Sequence, residues 1–361
     1  MHLFAKQRLV VVGLLISLLI ASCTKDDVAG HGAAALAVKC LDESGISGLT
    51  ISVGIGQEIV WSEGFGFADM EQQVPVDPAL TRFRVGSTAK SMTAMALGQL
   101  HEAGKLDLDA PIQSYLPDFP EKEATITTRM LAGHLGGIRH DQDDEFYSST
   151  PYLSVSDALE IFKDDPVEVR PGTAFSYSTY GYNLISAVVE SAADQEFLAY
   201  MSERVFGPTG MTETVADHVV PIITNRSRYY RLQENQLVNT PWVDNSNKWA
   251  GGGFLSTSED LVRFGFAHLS DRFLRPETIE MMWTSQSTLA GEETGYGIGW
   301  SIRKDERGRR LIGHGGGSVG GTTVLRIYPQ EDMVIAVISN TSEASCGRFT
   351  DGIVDVFLSD R

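Results

Sequence analysis

The sequence is poor in the residues that build metal sites. Its 361 residues include 3 cysteines and 8 histidines. No C-x-x-C pair and no H-E-x-x-H motif occurs in the chain. These absences give no support to a structural zinc site or a zinc peptidase. We therefore expect neither a metal nor an organic cofactor.

Basic residues are also scarce. Lysine and arginine number 29 against 47 acidic residues, a formal net charge of −18. This excess of negative charge disfavours nucleic acid and anionic membrane surfaces as partners. The acidic residues are dispersed along the chain, which is typical of a solvated protein surface. With 42% hydrophobic and 21% charged residues, the composition is ordinary for a globular enzyme with a sizeable core.

The apolar run at the N-terminus, residues 9–20, is too short for a comfortable membrane span, which needs about 20 apolar residues. It follows the basic residues Lys6 and Arg8, and this order predicts a signal peptide over residues 1–22. The run ends in Ile20-Ala21-Ser22-Cys23, which resembles the bacterial lipobox.

The lipobox resemblance implies that Cys23 is acylated and holds the protein on a membrane. Residues 23–32 would then form a tether, and the protein would reside in the cell envelope. The residue after the cysteine is Thr24 and not aspartate. In this the chain resembles Gram-negative lipoproteins that are sorted to the periplasmic face of the outer membrane. An ordinary secretory signal with a chance cysteine is the alternative.

Hydrophobic periodicity divides the rest of the chain into two kinds of territory. Helices are predicted at both ends, and strands alternate apolar and polar residues next to them. The segment from about residue 80 to 245 has the pattern of helices and long loops. The predicted helices are Ala33–Glu43 and Phe349–Leu358, and the predicted strands are Leu49–Ile55, Glu58–Phe67, Tyr296–Ile302, Arg310–His314, Thr322–Tyr328 and Met333–Ser339.

This order predicts an α/β (α+β) fold in which an antiparallel β-sheet is flanked by the terminal helices. The sheet domain would be discontinuous, over residues 33–75 and 249–361. An all-α subdomain over residues 76–248 would be inserted into it.

The most informative motif is Ser87-Thr88-Ala89-Lys90 at the start of a helical pattern. A serine and a lysine three apart on a helix are neighbours, and a partly desolvated lysine can take the serine proton. Ser301-Ile302-Arg303-Lys304 also fits S-x-x-K. It lies in an alternating segment that predicts a strand, where the two side chains would not share a face.

Two further motifs follow in the chain. Tyr177 and Thr179 precede a predicted helix, and His314 ends a predicted strand before three glycines, Gly315 to Gly317. Bare glycine backbone lets a substrate lie close to a strand edge. The order S-x-x-K, Y-x-T, H-x-G is similar to S-x-x-K, Y-x-N, K-T-G of the serine penicillin-recognising enzymes.

The chain thus resembles the serine β-lactamase-like family, which includes penicillin-binding proteins and class C β-lactamases. Within it, the chain is similar to the branch of mitochondrial LACTB and its bacterial relatives. The resemblance spans roughly residues 33–358 and implies a β-lactamase/transpeptidase-like fold. Motifs that carry it besides the three above include ITTRMLAGHLGGIRH (126–140), YSTYGYNLISAVVE (177–190), FGPTGMTET (206–214), DNSNKWAGGGFLSTSEDLVRFG (244–265) and TGYGIGW (294–300).

The resemblance implies a role for each residue of the first two motifs. Ser87 corresponds to the nucleophile and Lys90 to its partner one helical turn away. Tyr177 corresponds to the phenol or phenolate of a proton relay. Thr179 replaces the asparagine of Y-x-N.

In the third motif, His314, Gly315 and Gly316 replace Lys-Thr-Gly. The family would form its oxyanion hole from the backbone N–H groups of Ser87 and Gly317, and we expect His314 to support the reaction. A histidine is not always charged and glycine has no hydroxyl, so recognition of a substrate carboxylate should be weaker here.

These features predict a serine hydrolase that cleaves a small peptide or ester through an acyl-enzyme on Ser87. Two alternatives remain open. One is a DD-carboxypeptidase or β-lactamase acting on peptidoglycan peptides or β-lactams. The other is a non-catalytic binding or scaffold protein of the cell envelope. The sequence predicts no oligomeric state.

Other patterns have plainer interpretations. His134 is expected to be structural, and the acidic run His140–Glu145 to be a solvated loop. Residues 316–320 fit the G-x-S-x-G elbow of α/β-hydrolases, but no histidine follows His314, as that elbow would require. In the family fold the terminal helices pack together, so Cys40 and Cys346 could form a disulfide. Two separate buried thiols are the alternative.

Overall fold

The computed structural model describes residues 25–344 and 347–359. The predicted signal peptide, Cys23 and Cys346 lie outside these residues. The described strands are β1 Gly48–Ile55, β2 Glu58–Asp69, β3 Val74–Pro75, β4 Phe83–Arg84, β5 Val215–Ala216, β6 Tyr230–Gln233, β7 Gln236–Asn239, β8 Phe254–Ser256, β9 Ser301–Lys304, β10 Arg310–Ser318, β11 Gly321–Tyr328 and β12 Met333–Ser339.

Helices alternate with these strands and dominate the middle of the chain. They are α1 Lys25–Ser44, α2 Ala89–Glu102, α3 Thr128–Ala132, α4 Val155–Leu159, α5 Thr179–Ala193, α6 Phe197–Tyr200, α7 Gly207–Thr209, α8 Trp249–Gly252, α9 Ser258–His268, α10 Pro276–Met282 and α11 Gly347–Leu358. A 3-10 turn, Gly86–Thr88, leads directly into α2.

The main sheet joins the two ends of the chain. Within the described residues its strand order is β3-β2-β1-β12-β11-β10-β9, and its neighbouring strands are antiparallel. Strand β1 pairs with β12, with Val53 opposite Ile335. The predicted discontinuous antiparallel sheet is therefore confirmed.

Both faces of the central strands are covered. Helices α1 and α11 pack against each other and bury Leu49, Ile51 and Val53 of β1 on one face. On the other face, Thr50 and Ser52 lie under α9, and each of their hydroxyls is 2.7 Å from the Ser258 hydroxyl. The polar positions of the alternating pattern thus face a helix instead of water. Their hydroxyls are satisfied by hydrogen bonding to one another.

The inserted region is not all-α, as the sequence had suggested. Strands β4, β8 and β5 form a small sheet, and β6 and β7 form a hairpin. All of these strands are only two to four residues long. Segments this short show too few alternations to be separated from loops by periodicity.

Several predicted boundaries are also corrected. Helix α1 begins at Lys25, so most of the predicted 23–32 tether is helix. The strand predicted from Tyr296 starts only at Ser301, because Gly295 and Gly299 have φ of 69° and 76°, which strand backbone does not adopt. The predicted strand Arg310–His314 continues through the three glycines that follow it and ends at Ser318.

Cys40, on α1, is disulfide-bonded. The alternative of two separate thiols is therefore wrong for Cys40, although both other cysteines lie outside the described residues. In the part of the chain that the structure describes, no helix combines the length and the apolar content needed to cross a membrane.

Candidate active site

The Ser87 turn depends on the glycine that precedes it. Gly86 has a φ of 51°, in the left-handed region where glycine carries no steric penalty. A Cβ atom on Gly86 would lie 2.5 Å from the carbonyl oxygen of Gly317. The glycine thus lets the backbone turn and lets strand β10 approach Ser87.

Lys90 is enclosed by three polar partners. Its Nζ lies 3.1 Å from Ser87 Oγ, 3.2 Å from Thr179 Oγ1 and 2.7 Å from the carbonyl oxygen of Gly251. A neutral amine has two N–H donors and one lone pair. The N–H groups can serve Gly251 and Thr179 while the lone pair accepts the Ser87 proton. The surroundings therefore satisfy Lys90 in the state that a general base requires.

Burial favours that neutral state. Lys90 is 0% exposed, and desolvation lowers its pKa from 10.5 to about 7. The charge of Lys248 acts in the same direction, whereas the carboxylate of Asp141 opposes it. Near neutral pH, a substantial fraction of Lys90 is ready to accept a proton.

Tyr177 reaches the same serine from the other side. Burial, assisted by the Asp141 carboxylate, raises the pKa of Tyr177 to about 12, although a hydrogen bond with the Ser87 side chain opposes the shift. The Lys90 nitrogen lies 5.0 Å from the centre of the Tyr177 ring. Of the two forms expected from the sequence, the structure favours the protonated phenol, which can donate a proton.

Helix α5 fixes Thr179 beside Lys90. Ser178 caps this helix by accepting the N–H of Gly181 at 2.8 Å, so Thr179 is the first helical residue and is buried. A Cβ on Gly251 would come within 2.7 Å of the Thr179 methyl group. Thr179 is thus packed in place, and its hydroxyl orients Lys90.

The glycine segment of β10 passes directly over the nucleophile turn. A Cβ on Gly316 would lie 2.0 Å from the carbonyl oxygen of Val85 and 3.1 Å from the backbone nitrogen of Ser87. By contrast, a Cβ on Gly317 would meet no atom within 4 Å, and a Cβ on Gly315 would meet the Thr323 oxygen only at 3.7 Å. Position 316 therefore requires glycine, whereas positions 315 and 317 have room for a Cβ atom.

His314 lies outside this group of contacts. Its Nδ1 is 2.6 Å from the carbonyl oxygen of Gly315 and its Nε2 is 2.7 Å from the Tyr296 hydroxyl. Because a carbonyl only accepts, Nδ1 carries the proton and Nε2 accepts from Tyr296. Burial, with a contribution from Lys90, lowers the pKa of His314 to about 4. His314 is thus a neutral residue that fixes Tyr296 and the strand edge.

A cavity of about 230 Å³ opens beside Ser87. A larger one of about 660 Å³ adjoins it and shares Phe146, Gly317 and Ser318 as walls. Together they offer room for an extended chain on either side of the serine. The smaller cavity is lined by Ser87, His140, Asp141, Phe146, Thr179, Lys248, Gly251, Gly252, Gly317 and Ser318.

Comparison with known proteins shows which family the chain resembles. The Beta-lactamase family model matches residues 33–352. The human protein "Serine beta-lactamase-like protein LACTB, mitochondrial" is 35% identical over 385 residues, covering 80% of this chain and 70% of its own. The chain belongs to the serine β-lactamase-like family.

Solved structures agree on the fold of this family member. The octameric penicillin-binding protein homologue from Pyrococcus abyssi superposes with a TM-score of 0.79 at 25% identity, covering 91% of this chain and 77% of its own. D-amino acid amidase from Ochrobactrum anthropi SV3 reaches 0.80 at 22% identity, with coverages of 92% and 99%, and shows the fold alone. The family match and the LACTB relative support a serine hydrolase of peptide or amide bonds.

Three site residues of this β-lactamase-like chain escaped the sequence analysis. Lys248 and Tyr296 stand inside motifs that carried the family resemblance, but no role was assigned to them. Asp141 belongs to the run that was predicted to be a solvated acidic loop. That prediction is wrong for Asp141, which lines the cavity, and for Glu145, which pairs with the buried guanidinium of Arg139. Arg139 directly precedes the run in sequence, but the local pattern does not show that its guanidinium is buried.

The rival motifs fail on geometry. Ser301 begins strand β9 rather than a helix, so its lysine three residues later lies on the other face of the strand. Ser318 ends β10 and is followed directly by β11, a hairpin instead of the strand–turn–helix of an α/β-hydrolase elbow. His134 is buried, and its Nδ1 accepts the backbone N–H of Ser178 at 3.1 Å, in keeping with the structural role expected for it. Among the described residues no group of three or more His, Cys, Asp or Glu side chains is arranged to hold a metal ion.

Proposed function

We propose that the protein hydrolyses peptide, amide or ester bonds through an acyl-enzyme on Ser87. The observation that carries this proposal is the surroundings of Lys90. A fully buried amine, with a pKa lowered to about 7 by desolvation, lies 3.1 Å from a serine hydroxyl that borders an open cavity.

In the acylation step, Ser87 Oγ forms a bond to the substrate carbonyl carbon while its proton passes to Lys90 Nζ. The carbonyl π electrons move to the oxygen. The backbone N–H groups of Ser87 and Gly317 would stabilise this oxyanion, and such donors are typically worth about 2.7–4 kcal/mol each. This assignment is supported by the close approach of Gly316 to the Ser87 nitrogen.

Collapse of the tetrahedral intermediate breaks the bond to the leaving amine or alcohol. Tyr177, held as a phenol, donates the proton that the leaving group needs, and the Lys90 ammonium restores the phenol. In deacylation, water attacks the acyl carbon and gives its proton to neutral Lys90. The bond between the acyl carbon and Ser87 Oγ then breaks, and Lys90 returns a proton to Ser87. The carboxylic acid product leaves with the oxygen of the water molecule. His314 supports this machinery through Tyr296 without exchanging protons with the substrate.

The test is labelling by a fluorophosphonate, which forms a stable bond only with an activated serine. We expect the label on the peptide that contains Ser87, and its loss in Ser87→Ala. Ser301→Ala, in the second S-x-x-K, is the matched control and should label at the wild-type rate. If a folded wild-type protein takes no label, the non-catalytic binding or scaffold function replaces the enzyme.

We further propose that small esters and peptides are better substrates than penicillins or cephalosporins. His314 is neutral and occupied by two hydrogen bonds, and Gly315 offers no hydroxyl, so β10 supplies no cation for a β-lactam carboxylate. The ratio of kcat/KM for a phenyl ester and for a chromogenic cephalosporin measures this preference. Cephalosporin turnover comparable with that of a dedicated β-lactamase would show that the argument from His314 is wrong.

A further inference from the structure

A second lysine, Lys248, borders the Ser87 cavity directly before α8. Among the described residues its Nζ has a single hydrogen bond, a long one of 3.4 Å to the carbonyl oxygen of Phe146. It also lies 4.8 Å from the centre of the Phe146 ring. An ammonium group has three N–H donors, so two of them are left for a ligand.

Two buried arginines among the described residues have anionic partners. Arg84 Nε donates to Asp217 at 2.7 Å, and Arg139 donates to Glu145 at the same distance. Within the described part of the chain, no carboxylate lies within ion-pairing distance of the Lys248 nitrogen. A desolvated cation without an anion is costly. This cost would be offset if the anion arrives with the substrate.

The nearby Asp141 does not fill this role. It lines the same cavity, but it lies beyond ion-pairing distance of the Lys248 nitrogen, and its carboxylate contacts the ring of its neighbour His140. An additional anion in the cavity would therefore meet the Lys248 ammonium as its free partner. A formal carboxylate suits this place better than a neutral carbonyl, because charge-assisted hydrogen bonds are roughly twice as strong as neutral ones.

We propose that Lys248 binds a carboxylate of the substrate while Ser87 attacks the neighbouring carbonyl group. The substrates would then be peptides or esters that carry a free carboxylate near the scissile bond. The cation for this carboxylate would come from Lys248, in the segment before α8 and next to Phe146. Strand β10 supplies no cation, because its His314 carries no charge. This inference rests on the proposed function of Ser87.

The experiment uses two matched pairs of neutral and anionic esters. One pair, meta-carboxyphenyl acetate and meta-carbamoylphenyl acetate, carries the carboxylate on the leaving group. The other, the para-nitrophenyl esters of terephthalic acid and of its monoamide, carries it on the acyl group. Wild-type protein should prefer the anionic member of at least one pair by about 10- to 100-fold in kcat/KM, the range of one charge-assisted hydrogen bond.

Substitutions at Lys248 then separate charge from shape. Lys248→Met should reduce the anionic-to-neutral ratio by about 10-fold or more, and Lys248→Arg, which keeps the charge, should retain most of it. Lys304→Gln, at an exposed lysine of β9, is the control and should leave the ratio at its wild-type value. Fluorophosphonate labelling of each variant shows whether fold and nucleophile are intact.

Each outcome decides between distinct conclusions. If wild-type protein takes no label, the proposed function fails before Lys248 is tested. When labelling succeeds but Lys248→Met lowers both members of each pair equally, Lys248 takes part in proton transfer or folding and the carboxylate site is refuted. A wild-type ratio near one in both pairs also refutes it.

The pH dependence of the ratio provides an independent readout. Burial lowers the pKa of Lys248 to about 8, with Arg84 acting in the same direction and the carboxylates of Asp141 and Asp217 opposing. Lys248 is charged below this pH, so the anionic preference should be complete near pH 7 and vanish as pH rises through 8. Lys90 titrates in both members of a pair, and its effect cancels in the ratio.

Discussion

The sharpest prediction concerns the acid side of the pH–rate profile. The proposed mechanism requires neutral Lys90, and burial lowers the pKa of Lys90 to about 7. The neutral fraction therefore rises as pH increases through 7. It is about one half at pH 7 and about 1% at pH 5, whereas an ordinary lysine would be only about 0.03% neutral at pH 7. We expect kcat/KM to fall about tenfold for each pH unit below 7.

A neutral ester such as phenyl acetate is the substrate for this assay, because its binding does not depend on the charge of Lys248. Initial rates are measured from pH 4.5 to 9 at saturating buffer capacity and constant ionic strength. The position of the acid limb identifies the base. Lys90 predicts a limb near 7, and His314, whose pKa burial lowers to about 4, would place it three units lower.

The variant His314→Gln provides the matched control, since it removes the second titrating group. The limb should stay near pH 7 in this variant, with a reduced plateau if Tyr296 loses its support. An activity that stays constant down to pH 5 in the wild-type protein would refute Lys90 as the base. A limb that disappears in His314→Gln would assign the role to the histidine.

Three further expectations test the scaffold and the N-terminus. Gly316→Ala should lower the labelling rate about 100-fold and destabilise the protein by ~1–3 kcal/mol in urea unfolding, because its Cβ would overlap the Val85 carbonyl. Gly317→Ala is the control. Its Cβ would meet no atom within 4 Å, so the free energy of unfolding should change by less than ~0.5 kcal/mol. Asp217→Asn should cost about 3–5 kcal/mol in the same assay by leaving a buried guanidinium unpaired, and a loss below about 1 kcal/mol would contradict this. We also propose that Cys23 is acylated, so Cys23→Ala should release the protein from membranes or leave an uncleaved precursor, and normal membrane-bound mature protein from that variant would refute the lipid anchor.

Local patterns were sufficient for strands β1, β2, β11 and β12 and for the helix that follows Ser87. The alternation in β1 and β2 and the helical spacing after Ser87 arise from contacts within a few residues, and the structure confirms both. The relation of Ser87 to Lys90 is likewise a property of one helical turn. The burial of Lys90, which lowers its pKa, comes from α5 and α8 and could not be deduced from that turn.

The errors arose where distant segments decide the structure. Tyr296 had the pattern of a strand residue, but flanking glycines with positive φ take that segment into a turn, where Tyr296 meets His314. Lys248 was assigned no role, because its neighbours in sequence do not reveal the cavity. The predicted strand ended at His314, yet pairing with β11 keeps glycines 315–317 extended.

The pairing of β1 with β12 gives the protein a fixed order of events during synthesis. A ribosome completes β1, β2 and the Ser87 turn long before it makes the glycine edge of β10 and the final strand. Until then the nascent chain has part of a sheet with an unpaired edge strand, and such edges are prone to aggregation. Pairing of strands that are distant in sequence is also slow. A chain that lacks β10 and β12 therefore has Ser87 and Lys90 but no enclosed cavity, so the proposed hydrolytic site can form only after these strands have been made.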